Sequence, residues 1–204
     1  MDTNGPSLKD MPVYESKNPF VKNIFLKRIQ TAINFAEIND RSIILDLGCD
    51  TGLLLRTIRK FNSQCECWGI DLEPKIMTLK IPNCTFKVGD ARSLPLPDSY
   101  FTSVFVLDIL EHIQDAEVAI KEIQRVLVPN GHAILSGPTE SWFYRLCRFI
   151  EFGKEKVPSH FHTIHSIKEK FITEGFKEVK SQSLPGTPIP TLFIITKFQK
   201  ISSH

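Results

Sequence analysis

The chain has 204 residues, 42% of them hydrophobic, and 25 Lys plus Arg against 23 Asp plus Glu give a net charge of +2. The length suits one domain with a sizeable core, and so balanced a charge argues against a general nucleic-acid binder, which shows a basic excess or a Lys/Arg run. No apolar run approaches the roughly 18 residues of a membrane span, and the N-terminal stretch lacks the charged-then-apolar order of a secretory signal. These exclusions leave a soluble, cytoplasmic domain rich in Phe, with eight of its 15 Phe at or after residue 143.

Residues 1–17 are polar and punctuated by Pro and Gly, as in a loose arm, and an N-terminal helix is expected over 18–39 from apolar positions at 21, 24, 25, 29, 32, 33 and 36. Ile43-Ile44-Leu45 reads as a buried strand ending at Asp46, followed from Gly52 by a helix with Leu54, Leu55, Ile58 and Phe61 on its apolar face. A second strand, Cys67 to Ile70, stops at Asp71, and Pro74 suits the first turn of the helix after it. Thr85 to Val88 is a third strand before Asp90. After the Pro-broken loop 93–100, Phe101 to Leu107 is a fourth. Asp115 is the expected N-cap of a helix with apolar positions 116, 119, 120, 123, 126 and 127. Pro129-Asn130-Gly131 reads as a turn and His132 to Leu135 as a fifth strand. A capping box at Ser166–Glu169 opens a last helix closed by Gly175, and strands at 176–184 and 191–198 are joined by a short Pro-rich link. Alternating strands and helices predict a parallel α/β sheet with helices on both faces. The short final connection makes the last strand antiparallel.

Five cysteines (Cys49, Cys65, Cys67, Cys84, Cys147) form an odd set that reads as reduced thiols. Cys65 and Cys67 are separated by one residue rather than the two of a zinc knuckle, so no structural zinc site is expected.

Ligands of an open parallel sheet bind at the carboxyl ends of its strands. Asp46, Asp71 and Asp90 each end a predicted strand there, and the fourth strand runs into Asp108. In the first turn Gly48 permits a sharp bend and Gly52 lets the next helix begin against a ligand. A dinucleotide fingerprint would need glycines at 48, 50 and 53, where this chain has Gly48, Asp50 and Leu53, so NAD is disfavoured. A nucleoside bearing a carboxylate fits better, with Asp71 accepting both ribose hydroxyls and Asp90 the exocyclic amine of adenine.

The segments Ile43–Gly52 (IILDLGCDTG), Gly69–Pro74 (GIDLEP), Val88–Ala91 (VGDA), Val106–Ile113 (VLDILEHI) and Arg125–Leu135 (RVLVPNGHAIL) resemble the successive motifs of class I S-adenosylmethionine-dependent methyltransferases. The likeness is to the small-molecule branch that includes the quinone methyltransferases, and residues 160–183 resemble that branch's last helix and sixth strand. The resemblance implies a Rossmann-like sheet of seven strands, mostly parallel with an antiparallel last strand, and S-adenosylmethionine as cofactor. It implies that Asp46, Gly48, Cys49 and Gly52 line the methionine end, that Asp71 binds ribose and Leu72 packs on adenine. Asp90 and the Ala91 amide would meet the adenine edge, and Leu107 and Asp108 would border the methyl-donor pocket. Asp50 departs from the family, which has its middle glycine there. Asp tolerates left-handed backbone better than most residues.

Methyl transfer requires an in-line acceptor in a dry pocket, and a base only where the acceptor must lose a proton. Candidate catalytic residues are Asp108, His112 and His160, with His162 and His165 as further histidines. Glu111 and His112 also read as hydrogen-bonded structural residues. With Asp108 they resemble the divalent-metal run of some quinone and RNA-end O-methyltransferases, although no metal is expected. Residues 139–163 form a lid or substrate insertion whose stretch 142–156 carries Trp142, Phe143, Leu146, Phe149 and Ile150 among basic residues. That composition suits an apolar or lipid-like acceptor, or peripheral contact with an anionic membrane. The leading reading is a single-domain methyltransferase acting on such an acceptor. The alternatives are an inactive methyltransferase-like binding module and a metal-assisted RNA-end O-methyltransferase.

Overall fold

A computed structural model describes residues 18–146, 160–186 and 188–201. The expected arm at 1–17 and the stretch 147–159 of the expected lid, with Cys147, Phe149 and Ile150, lie outside the described residues.

Helix α1 (Pro19–Ala36) starts where the Asn18 side chain accepts the Phe20 N–H at 3.0 Å, with proline in the first turn, and buries Ile24, Ile29, Ala32, Ile33, Phe35 and Ala36. There follow β1 (Ile43–Leu47), α2 (Leu53–Phe61), β2 (Glu66–Asp71) and β3 (Cys84–Val88). The chain continues through β4 (Phe101–Leu107), α3 (Ala116–Val126), β5 (Leu127–Pro138), α4 (Ile164–Thr173), β6 (Phe176–Leu184) and β7 (Phe193–Lys200). The seven strands lie in the order β3-β2-β1-β4-β5-β7-β6. Pairings from β3 through β5 are parallel, while β7 runs antiparallel to both β5 and β6. Strand order reverses between β1 and β4, which opens a crevice at their carboxyl ends.

Because side chains alternate across the sheet, each strand feeds two cores. On one face Leu45, Val104, Val106 and Leu135 meet α3 and α4 through Ile120, Ile123, Ile167 and Phe171. On the other, Ile44, Phe105 and Ile134 meet α1 and α2 through Ala32, Ile33, Leu54, Leu55 and Ile58. The expected seven-stranded, mostly parallel sheet with helices on both faces is therefore the observed one.

Several local expectations are corrected. Phe61 is 69% exposed rather than core, because it is the last helical residue and the chain turns extended at Asn62. Pro74 opens a five-residue 3-10 helix (Pro74–Thr78), not an α-helix. The Pro129-Asn130-Gly131 turn lies inside β5. Asn130 adopts φ 62, and the register against β4 jumps from Phe101–Leu127 to Ser103–His132, so the triplet is a bulge rather than a strand boundary. Asp115 holds the N-cap position of α3 without a side-chain bond. Helix α4 begins at Ile164, capped by Thr163, whose hydroxyl accepts the Ser166 N–H at 3.2 Å, so Ser166 sits inside the first turn.

Candidate functional site

The chain leaves β1 at Gly48, whose φ of 75° is in the region glycine tolerates best. The N–H groups of Gly48 and Cys49 both donate to the Ile70 carbonyl, at 2.7 and 3.1 Å, which folds this turn over the end of β2. A Cβ at position 48 would collide with the Ile109 side chain. Asp50, at φ 40, donates its N–H to Asp71 Oδ2 at 2.9 Å, while its own carboxylate pairs with Lys75 Nζ at 2.7 Å. The left-handed turn thus survives the loss of the usual glycine, and Lys75 neutralises the charge that replaced it. Asp71 Oδ1 accepts the Glu73 N–H at 3.0 Å. Each Asp71 oxygen keeps a lone pair for a ligand hydroxyl.

A cleft of about 380 Å³ opens along this rim. Gly48, Asp71, Leu72, Asp90 and Ala91 line it, and Ile109, His112, Ile113 and Phe161 close its far side. Five of the nine residues expected to hold a cofactor thus surround one space. The other four do not reach it with their side chains. Cys49 packs against Ile76 and Leu79, Gly52 faces Ile81, and Leu107 packs with the core on the α1–α2 face. Asp46 is buried beneath the turn, and burial, then the Asp71 carboxylate, pushes its carboxyl pKa up to about 8. Asp90 is engaged from within the strand end. Arg92 Nε lies 3.1 Å from both of its oxygens, and this pairing lowers the acid's pKa.

At the acceptor end Asp108 stands apart from the other two expected catalytic residues, His112 and His160. Asp108 is ion-paired with Arg28 of α1, whose guanidinium lies 4.9 and 4.6 Å from the ring centres of Phe25 and Phe193. Residues 110–112 form a single 3-10 turn, and Asp108, at φ 57, lies outside it, so Asp108 shares no helical face with Glu111 and His112. Glu111, His112 and His160 come together instead, with one ligand-capable atom from each within 4.8 Å of the others. The two imidazoles meet edge to face at 4.7 Å, and His160 Nδ1 lies 2.7 Å from Glu140 Oε1. Burial, then the Asp108 carboxylate, raises the Glu111 carboxyl pKa to about 8. His162 bonds the Gln114 carbonyl at 2.9 Å, and His165 is exposed on α4, so neither joins the group.

Arg28, Arg92, Ile109 and Glu140 were not among the sequence candidates. Arg28 carried a signal, because it sits between Phe25, Ile29 and Ala32 on the apolar face of α1, where an unpaired cation would be costly. Glu140 carried none. It reaches His160 across 20 residues, and only the fold brings the pair together.

The sheet order and the antiparallel seventh strand, with an acidic cleft at the strand ends, are those of the class I methyltransferase fold. Residues 45–135 match the model of a methyltransferase domain family. Over 143 residues the chain is 28% identical to the malonyl-[acyl-carrier protein] O-methyltransferase of Halorhodospira halophila, covering 65% of this chain and 48% of that one. It is 31% identical to norajmaline N-methyltransferase of Rauvolfia serpentina (53% and 42% covered). It is also 32% identical to a probable tRNA methyltransferase 9B of Bos taurus (60% and 27%). The chain therefore spans about a quarter to a half of the length of these curated relatives. Its fold matches the complex of the Haloferax volcanii Trm112 methyltransferase activator with a putative methyltransferase, at TM-score 0.72 and 17% identity over 91% of this chain and 93% of that one. It likewise matches an S-adenosylmethionine dependent methyltransferase of Mesorhizobium loti (0.67, 14%, 95% and 100%). Among the described residues no helix is long and apolar enough to cross a membrane.

Proposed function

We propose that this domain transfers a methyl group from S-adenosylmethionine to a small, apolar or lipid-like acceptor. The observation that carries the reading is the single cleft in which Gly48, Asp71, Leu72, Asp90 and Ala91 converge, with His112 and Phe161 at its far side. The residues suit the cofactor. Asp71 presents two acceptor oxygens, Leu72 is exposed for stacking, and position 48 leaves room that no side chain would. S-adenosylmethionine, when bound, supplies an electrophilic methyl carbon on a sulfonium. The chain's own part is to orient the nucleoside through Asp71 and to keep water from the acceptor with Ile109, Ile113 and Phe161. We assign the role of proton acceptor to His160, which Glu140 orients and which contacts His112 of the cleft edge to face.

Phe143 and Tyr144 pack with Phe25 and Phe193 near the start of β7, while Trp142 is 73% exposed. This apolar region, and relatives named for malonyl-[acyl-carrier protein] and norajmaline, support a small or lipid-like acceptor and an insertion at 139–163 that selects it. Exposed Trp142 also supports peripheral membrane contact through 142–156, and the near-neutral charge supports a target other than nucleic acid.

Calorimetric titration with S-adenosylmethionine tests the core of the reading. Micromolar-class binding by the wild type, weakened about tenfold or more by Asp71→Ala, is expected from the loss of charged hydrogen bonds to ribose. Absence of binding by the wild type would leave only the inactive binding module. Labelled-methyl transfer across acceptor classes, RNA included, then identifies the substrate.

A second reading rests on the convergence of Glu111, His112 and His160 within 4.8 Å: a divalent cation held there would activate an acceptor oxygen, and Glu140 would orient the histidine ligand. Asp108, held by Arg28, drops out of that ligand set. Turnover unchanged by chelation and by added Mn²⁺ or Zn²⁺ would dismiss the cation and leave His160 as a proton acceptor.

A further inference from the structure

At the far end of the sheet from the cleft, three thiols share one face. Cys65 and Cys67 are two residues apart along the chain entering β2, so they point the same way, and their sulfurs lie 3.8 Å apart. Cys67 is the second residue of β2 and pairs in register with Cys84, the first residue of β3. Adjacent strands are about 4.8 Å apart, inside the roughly 4.4–6.8 Å between Cα atoms that a disulfide spans. Side chains at registered positions of parallel strands project to the same face, so the two thiols stand side by side.

Arg59, near the end of α2, faces this group. Its guanidinium donates to the Cys65 and Asn83 carbonyls at 2.5 Å each and lies 3.6 Å from Cys65 Sγ. The three thiols differ in access. Cys65 and Cys67 are fully buried, whereas Cys84 is half-buried on β3, the edge strand of the sheet.

We propose that Cys84 and Cys67 are a hydroperoxide-oxidised thiol pair, in which Cys84 is the attacking sulfur and Cys67 the resolving one. The Cys84 thiolate attacks one peroxide oxygen and the O–O bond breaks, leaving a sulfenic acid and hydroxide. The Cys67 sulfur then displaces the sulfenic oxygen, and its proton leaves with that oxygen as water. The hydroxide takes up the proton Cys84 had released. Two thiols and one hydrogen peroxide thus become one disulfide and two waters. The environment supports this polarity. The adjacent Cys67 thiol and the Arg59 guanidinium lower the Cys84 pKa to about 7, while the Cys67 thiol is pushed up by its proximity to Cys84 and by burial. Buried Cys49 is likewise pushed up, by burial and then by the Asp46 charge, and serves as an unreactive reference. The pair lies at the amino ends of β2 and β3, opposite the rim that carries Asp71 and Asp90. Its oxidation therefore stands apart from the methyltransferase reading.

The full-length protein is treated with equimolar hydrogen peroxide at neutral pH and mapped, without reduction, by site-resolved mass spectrometry. The expected product is a peptide containing Cys67 linked to one containing Cys84, with Cys49 still free. Cys65→Ser retains the link, Cys84→Ser loses it, and Cys67→Ser leaves a Cys84 sulfenic acid that dimedone traps. In untreated wild type, which needs no variant to fold, Cys84 is alkylated before Cys49, Cys65 and Cys67. The proposal is overturned if peroxide yields no Cys67–Cys84 link, if the link formed joins Cys65 to Cys67 or engages Cys147, or if Cys49 or Cys65 is alkylated first.

Discussion

At Asp46 the raised acid pKa sets how stability follows pH. Below about pH 4 the carboxyl is protonated in both the folded and the unfolded chain. Between that pH and about 8 the unfolded chain ionises and the folded one does not, so the folded state binds more protons and stability falls as pH rises. Asp46→Asn removes the titration. Relative to wild type, the variant should be more stable at pH 8 than at pH 5, as urea denaturation at the two pH values would show; an equal difference at both would contradict the assignment. At Gly48 two constraints coincide, since φ is 75° and a Cβ meets Ile109. Gly48→Ala should cost about 1–3 kcal/mol in strain and abolish cofactor binding. Adding Ile109→Ala frees the space but not the backbone, so stability should recover only in part in a melting experiment. The Gly and Asp pattern around residue 48 was legible because backbone geometry restricts which residues fit it. The Lys75 partner that lets Asp50 stand there was not, because nothing local links the two.

The capping of α4 shows how an element can be placed correctly and bounded wrongly. Ser166–Glu169 has the capping-box pattern, yet Thr163 is the residue with extended backbone, φ −86 and ψ 158, and it takes the Ser166 N–H. Thr163→Ala should therefore lower stability by about 1 kcal/mol, and Ser166→Ala by distinctly less, in denaturant titrations. Strand β5 makes the same point. A Pro-Asn-Gly triplet ordinarily signals a turn, but β4 pairs with this strand on either side of the triplet, at Leu127 and again from His132, and absorbs it as a bulge. Phe61 was assigned to the core from its spacing alone, and the end of α2 leaves it outside.

Across the molecule, α1 is fastened to the end of β4 by Arg28 and Asp108. The two partners differ in burial, with side-chain exposures of 6% and 32%. Asp108→Asn strands a buried guanidinium and should cost about 3 kcal/mol, whereas Arg28→Met leaves a carboxylate that can reach water and should cost less. Thermal melts of the two variants check this order; the reverse would mean that the pair is held by its carboxylate. The same latch ties the Asp108 carboxylate to α1 and away from Glu111 and His112.

The charge balance met first, 25 basic against 23 acidic residues, turns out to hide local pairings: Asp50 with Lys75, Asp90 with Arg92 and Asp108 with Arg28. By itself the sequence determined the strand and helix order, the antiparallel last strand and the row of strand-end carboxylates, because hydrophobic period, connection length and turn chemistry are local properties. Only the tertiary structure decided which carboxylates face the cleft, which are neutralised beside it, and that Glu140 stands behind His160. Burial and ion pairing depend on residues brought together from distant parts of the chain, and local pattern carries no record of them.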